Sequence, residues 1–198
     1  MRLVAAVVPL LAACTPQYPG EAVGSFDVTG RLEVNECGAS AVPARDPLSF
    51  AVEVRERGPE AFWRRSGLPV VSGTVRDDGN YRFRTVALIP VFAADPDPDF
   101  GHAGCNLVQT EIVDVVLSNA PPDADAGAET DAGPGMDAPD AGAQEPEPDL
   151  QLAGTSTIDL APEPGSDCTP LMAVAGGPFV ALPCGIDYTL EGAPRSPL

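Results

Sequence analysis

The histidine at position 102 lies in an acidic stretch and is the first candidate for chemistry. Asp95, Asp97 and Asp99 precede it at every second position, the spacing with which an EF-hand loop begins, and carboxylate oxygens are ligands that Ca²⁺ prefers. Prolines occupy the intervening positions, however, and Asn106 stands where such a loop needs a bidentate glutamate. We therefore interpret His102 as a polar loop residue and expect no metal site here.

No other pattern is typical of an active site. The sequence lacks a Gly-x-Ser-x-Gly elbow and a complete EF-hand loop motif. Gln109 and Glu111 have the same strand parity as the apolar residues Leu107 and Val113, so they could orient a ligand inside a barrel. We expect instead that a local bulge turns both side chains outward. The sequence thus predicts no enzyme, no catalytic residue and no cofactor.

Four cysteines are expected to be structural: Cys37, Cys105, Cys168 and Cys184. None belongs to a Cys-x-x-Cys motif, and a single histidine cannot complete a zinc site of the usual spacing. An even number of cysteines in an exported chain predicts two disulfides, for which three pairings exist.

The first residues have the features of an export signal. Met1 and Arg2 provide a positive start, residues 3–11 are apolar, and two alanines follow. The apolar run is too short to span a bilayer, since a spanning helix needs about 20 residues. Residues 1–13 are therefore predicted to be a signal peptide.

The tetrapeptide Leu11-Ala12-Ala13-Cys14 resembles the lipobox of bacterial lipoproteins. The resemblance implies cleavage before Cys14, a diacylglycerol thioether on its sulfur and an acylated (for example palmitoylated) N-terminus, hence a membrane as partner. More than one acyl chain gives stable anchoring. Thr15 stands where such proteins have an aspartate if they are retained in the inner membrane, so the resemblance implies sorting to the outer membrane. Whether the protein faces the periplasm or the cell surface stays open.

Charge separates the chain into a domain and an insertion. The formal net charge is −18 and lysine is absent, which argues against nucleic acid as a partner.

Residues 120–149 contain nine acidic residues and no base, and such a composition is typical of disorder. The predicted segments are a lipidated cysteine and linker (14–23), a single β domain (24–119 and 148–192), a disordered insertion (120–147) and a tail (193–198).

The rest of the chain alternates apolar and polar residues with the period of two that is typical of strands. About eight such runs follow one another, and Asp78-Gly79 between two of them is a strong hairpin signal. In residues 105–117 the apolar parity is mixed, which a bulge or burial on both faces would explain. The last run is predicted to extend from Val180 to Leu190.

Successive strands without crossover helices predict an all-β antiparallel meander, as a small barrel or a sandwich. Alternating strand directions place all four cysteines at one rim, and the chain ends and the acidic insertion at the other. In a closed barrel the first strand neighbours the eighth, which favours Cys37–Cys184 and Cys105–Cys168. In a sandwich, Cys168–Cys184 closes more easily and leaves Cys37–Cys105. The barrel pairing is slightly preferred.

Gly24-Ser25-Phe26 resembles the Gly-x-Trp opening of lipocalins, with phenylalanine in place of tryptophan. That resemblance implies an eight-stranded barrel that holds small apolar ligands. The side chains expected to face such a ligand are Phe26, Phe50, Phe83 and Tyr188. The leading interpretation is a lipid-anchored outer-membrane domain with a non-enzymatic structural or interaction role, and the lipocalin-like binding barrel is the alternative.

Overall fold

A computed structural model describes residues 18–42, 44–95, 103–119 and 150–195, and they form a closed antiparallel β-barrel. Each strand pairs with the next in sequence order, and the eighth pairs with the first. The strands are β1 (Glu21–Asn35), β2 (Leu48–Arg57), β3 (Glu60–Arg65), β4 (Val71–Val75), β5 (Tyr81–Phe92), β6 (Cys105–Asn119), β7 (Leu150–Pro162) and β8 (Cys184–Pro194). The predicted all-β meander is confirmed, as a barrel.

Helical structure in the described residues is limited to two short 3₁₀ turns between β7 and β8, Thr169–Leu171 and Ala173–Ala175. A helix long and apolar enough to cross a membrane does not occur among these residues.

Alternation of side chains explains why these segments form one barrel. In β1, Phe26 and Val28 are buried while Asp27 between them is exposed, and in β8 Ile186, Tyr188 and Leu190 are buried in the same way. The Asp78-Gly79 turn joins β4 to β5 as expected: Gly79 has φ 79°, and the Asn80 amide donates to the Asp78 carboxylate. Local turn chemistry and hydrophobic period therefore agree throughout this part of the chain.

Two strand predictions need correction. The last strand begins at Cys184 and not at Val180, whose side chain is 67% exposed in the preceding loop. Pro183 has no N–H to donate to a sheet ladder, so the regular pairing starts after it. Of the two explanations offered for the mixed parity of residues 105–117, the bulge is wrong, because β6 pairs with β7 without interruption from Leu107 to Asn119. Odd-numbered side chains of β6 face the interior, and the apolar even-numbered ones lie on the outer face.

Both disulfides lie at one rim, as the meander predicted. Cys37, just after β1, is bonded to Cys184 at the start of β8 with a Cα–Cα distance of 5.1 Å. Cys105 at the start of β6 is bonded to Cys168 after β7, with a Cα–Cα distance of 5.0 Å. This confirms the pairing preferred for a barrel. We call this end the disulfide rim. The start of β1, the end of β8 and the strand ends that flank residues 120–149 lie at the opposite rim, and the insertion itself lies outside the described residues.

The half of the interior near the opposite rim is filled with side chains. Trp63 and Phe83 have ring centroids 5.2 Å apart, and Tyr81 stacks on Phe83 at 6.4 Å. The Tyr81 hydroxyl donates to the Glu56 carboxylate. Burial, and secondarily this carboxylate, raises the pKa of Tyr81 well above its usual range, so the phenol remains a neutral donor.

The barrel closes through two short ladders on one side. β3 pairs with β4 only from Glu60 to Trp63, and β4 pairs with β5 only through Gly73–Val75 against Tyr81–Phe83. A Cβ atom on Gly73 would lie 2.5 Å from the Phe83 ring, so the absence of a side chain allows this close approach. Beyond Phe83, β5 continues to Phe92 with β6 as its strand neighbour. A gap in the wall between β4 and β5 results, open towards the disulfide rim.

The two disulfides are expected to differ in what they contribute to stability. Sequence separations of 147 and 63 residues predict, in the chain-entropy model, losses of about 5 kcal/mol for a Cys37→Ser/Cys184→Ser variant and about 4 kcal/mol for Cys105→Ser/Cys168→Ser. Urea unfolding of both double variants under oxidising conditions measures these values. A smaller loss for the Cys37–Cys184 pair would contradict the expectation.

Candidate functional site

An ion pair crosses the interior of the barrel at mid-height. Arg65, the last residue of β3, donates from Nη2 to the Glu111 carboxylate of β6, and their side chains are 18% and 16% exposed. The Ser156 hydroxyl of β7 donates to the same carboxylate over 3.3 Å, and Ser156 is buried. The contact thus connects β3, β6 and β7 through the barrel interior.

Two aromatic rings contact the Arg65 guanidinium. Its Cζ atom lies 4.4 Å from the Phe50 ring centroid and 5.9 Å from that of Trp63. Cation–π attraction of this kind gains strength where water is excluded. The charged group is therefore compensated by Glu111 on one side and by ring faces on the other, while its Nε–H is buried without a hydrogen-bond acceptor among the described residues. Together they form a polar floor above the aromatic core.

Above this floor, the barrel contains a cavity of about 480 Å³ that we call the cup. The loops after β1 and β7 contribute Ala41, Val42 and Phe179 at its mouth. Ile89 and Val91 have the inward parity of β5, yet they are 36% and 41% exposed, which means that the upper interior is not filled. The aliphatic side chains that line the cup are Leu48, Ile89, Val91, Leu107, Ile158, Leu160 and Ile186.

Polar groups in the cup are few and lie at defined positions. Gln109 stands beside Arg65 and Glu111, and its amide offers both a donor and an acceptor. Tyr188 lies on β8. Burial raises the pKa of the Tyr188 phenol, the Asp46 carboxylate adds to this, and a backbone hydrogen bond with Arg45 opposes it. A neutral phenol and a neutral amide are thus available in the cup. Arg45 lines it as well and has no carboxylate within ion-pair distance among the described residues.

The gap between β4 and β5 forms a second cavity, of about 640 Å³, that we call the notch. Leu68, Pro69 and Val71 line one side of it, and residues 83–87 of β5 line the other. Arg65, Gln109 and Glu111 line the notch as well as the cup, so the two cavities adjoin each other at the polar floor. Trp63 also lines the notch; its indole N–H is buried and has no hydrogen-bond acceptor among the described residues.

The predicted ligand-facing residues divide into two groups. Phe83 lines the notch and Tyr188 lines the cup. Phe26 is 1% exposed in the filled half of the barrel, and Phe50 packs on Trp63 and Arg65. Neither Phe26 nor Phe50 is a lining residue of the cup or the notch. The expectation that Gln109 and Glu111 turn outward was wrong, since β6 contains no bulge and both side chains face inward.

Some predicted positions lie outside the described residues. Cys14 of the lipobox is one of them, and so are Asp97, Asp99 and His102. Within the described ranges, no group of three or more His, Cys, Asp or Glu side chains is arranged to hold a metal ion.

Arg65 was the functional residue that sequence reasoning missed. β3 reads Glu-Ala-Phe-Trp-Arg-Arg, in which neighbouring apolar residues and neighbouring charged residues hide the period of two. The available signal was the register of the hairpin: if Trp63 faces inward, then Arg65 does too.

Comparisons with known proteins identify no relative. No protein-family model matches the chain, and neither the curated proteins nor the solved structures contain a match. The interpretation of the site therefore rests on its own geometry.

We expect the Arg65–Glu111 pair to be important for stability. A Glu111→Gln variant preserves side-chain size but leaves the buried guanidinium without its counter-charge, at a cost of about 1–3 kcal/mol. The matched control is Glu60→Gln, which removes the partner of Arg57 in an exposed pair (63% and 55% exposed) and should cost less than about 0.5 kcal/mol. Chemical denaturation of the two variants measures both losses. Equal effects would show that burial adds nothing to the Arg65 pair.

Proposed function

We propose that the protein is an exported lipoprotein, anchored to the outer membrane through acyl chains on Cys14, whose barrel binds a small, largely apolar molecule in the cup without transforming it. The observation on which the binding role rests is the unfilled upper half of the barrel. The lipobox residues and the preceding apolar run support the anchor.

The size and lining of the cup suit a small-molecule ligand. Its volume of about 480 Å³ lies within the range of roughly 300–1,000 Å³ that is usual for such sites. An eight-stranded barrel has an interior just wide enough for side chains or for one small ligand. Here side chains fill one half and leave the other half open, although that half is lined by leucine, isoleucine and valine.

The charges of the floor limit the chemistry of the ligand. Because Arg65 is already paired with Glu111, a charged ligand group at the floor would have to displace one partner of a buried ion pair. The neutral donors and acceptors of Gln109 and Tyr188 suit a hydroxyl, amide, ester or ketone group better. The favoured ligand is thus a molecule that is apolar along most of its length and has an uncharged, hydrogen-bonding group at the end that meets the floor.

The resemblance of Gly24-Ser25-Phe26 to the lipocalin opening agrees with this proposal, since lipocalins bind small apolar ligands in eight-stranded barrels. A structural or interaction role without a small ligand is the second candidate. The exposed apolar side chains of β5 favour that alternative.

The anchor is tested by mass spectrometry of the full-length protein extracted in detergent from its own host. We expect a mass that begins at Cys14 and includes acyl chains, and a Cys14→Ala variant that partitions into the aqueous phase. Cys105→Ala/Cys168→Ala is the control, because it removes cysteines without affecting the lipobox. An unacylated native mass would overturn the anchor.

Ligand binding is tested by native mass spectrometry of the same preparation. We expect extra mass that is lost on denaturation. The Ile158→Trp variant should lower the occupancy of the bound molecule at least tenfold, because its indole takes up cup volume that several ligand atoms would otherwise fill. Each such atom contributes about −0.3 to −1.5 kcal/mol of binding free energy. Ala153→Trp on the exposed outer face of the same strand is the control and should retain the ligand. Absence of any bound molecule in both proteins would reject the cup as a ligand site.

A further inference from the structure

The upper part of β5 is an unpaired strand edge. From Arg84 to Pro90 it pairs in regular register with β6 on one side, while the β4 ladder on the other side ends at Phe83. No described strand occupies the vacant side. Backbone N–H and C=O groups along such an edge are a template for an added strand.

This edge is also apolar on both faces. Val86 and Leu88 on the outer face are 53% and 55% exposed, and Ile89 and Val91 on the inner face are 36% and 41% exposed. No charged residue occurs between Arg84 and Asp95 in a chain whose net charge is −18. Edge strands are normally protected by charges, by shortness or by bulges. Here Pro90 and the register shift between Pro90 and Phe92 interrupt the edge near the disulfide rim, and residues 84–89 are left without such protection. A surface of this kind marks an interaction site.

The geometry of the gap limits how a strand can enter it. A segment that pairs antiparallel to β5 enters from the disulfide rim and continues the line of β4. It must stop near Arg84, because β4 occupies the next position, opposite Phe83. A strand in this orientation therefore ends with its C-terminus at the base of the notch.

The charge at the base of the notch favours a strand that ends there with its C-terminus. Asp114 is paired with Arg76 and Arg82, at 3.5 and 3.8 Å. Arg84, which lines the notch, has no carboxylate within ion-pair distance among the described residues. A terminal carboxylate is complementary to this guanidinium, whereas a terminal amine would be repelled.

We propose that the notch binds the apolar C-terminal segment of another polypeptide, which adds to the edge of β5 as an antiparallel strand and places its terminal carboxylate at Arg84. Main-chain hydrogen bonds to residues 85–91 supply affinity, and alternate side chains of the segment enter the notch above Trp63 and Phe83. This site adjoins the cup and shares Arg65, Gln109 and Glu111 with it, whereas Ile158 lines the cup alone.

The experiment uses the full-length protein in detergent and a display library of random peptides of about eight residues with free C-termini, a length that matches the open edge. We expect selection of peptides with apolar, β-branched C-terminal residues. Fluorescence polarisation then compares one selected peptide with its C-terminal amide. The amide should bind at least ~10-fold more weakly, because it loses a charge-assisted contact.

Variants distinguish peptide binding in the notch from binding elsewhere on the barrel. Arg84→Gln should remove the difference between acid and amide, and Ala87→Glu, which adds a negative charge to the wall of the notch, should weaken both. Arg31→Gln on β1, with a 74% exposed side chain, is the control and should change nothing. Ile158→Trp should fill the cup without changing the affinity for the peptide. The experiment therefore distinguishes a wrong proposal for ligand binding in the cup from a wrong proposal for peptide binding in the notch.

Three outcomes would overturn the proposal. The first is a library that yields no enriched peptide, and the second is an equal preference for the free acid in the Arg84→Gln variant and the wild type. The third is a dimer, detected by sedimentation, in which β5 pairs with a second copy of the chain and which Ala87→Glu dissociates. In that last case the edge binds itself and not a foreign C-terminus.

Discussion

Closure of the barrel through a very short strand is the constraint on which the rest of the structure depends. An eight-stranded barrel removes free sheet edges only if every neighbouring pair is joined along its length. Here β4 extends only from Val71 to Val75, while β5 and β6 extend far beyond it. Near the opposite rim the closure is complete and the interior is packed. Towards the disulfide rim the wall between β4 and β5 is missing, so inward-facing residues of β5 remain exposed.

The Arg65–Glu111 contact compensates for this missing wall. β3 ends where its ladder with β4 has already finished, and no further backbone pairing holds its last residue against β5. The Arg65 side chain instead reaches β6 and contacts a carboxylate that Ser156 also holds. A buried ion pair is weak evidence for stability in general, and here the Arg65 Nε–H is buried without an acceptor among the described residues, but the pair still fixes β3 relative to β6. Its position separates the packed half of the barrel from the unfilled half and so determines where a ligand could lie.

Much of this architecture could be predicted because alternation is a strong signal in most strands. The pattern around Phe26 and Val28, and the one around Ile186 and Tyr188, each have one consistent apolar parity, and the cysteine positions then follow from strand direction alone. The site could not be predicted in the same way. β6 has apolar residues on both parities, so nothing local determines whether Gln109 and Glu111 face inward. That orientation is decided by the register against β7 across the chain. The gap beside β5 likewise depends on the length of β4, and the apolar run in β5 does not indicate that length.

The disulfides and the notch lie on different sides of the barrel, and this arrangement has a physical consequence. Cys37–Cys184 joins β1 to β8, and Cys105–Cys168 joins β6 to the loop after β7, so the crosslinks restrain the wall formed by β6, β7, β8 and β1. The notch lies among β3, β4 and β5, where ladders are short and no described disulfide limits movement. Segments with few backbone pairs have the lowest free energy of local opening. Such opening is what entry of a ligand or of an added strand requires. Since β1 begins at the opposite rim, an acyl anchor at Cys14 would hold this weakly paired side and the mouth of the cup away from the bilayer, accessible to whatever they bind.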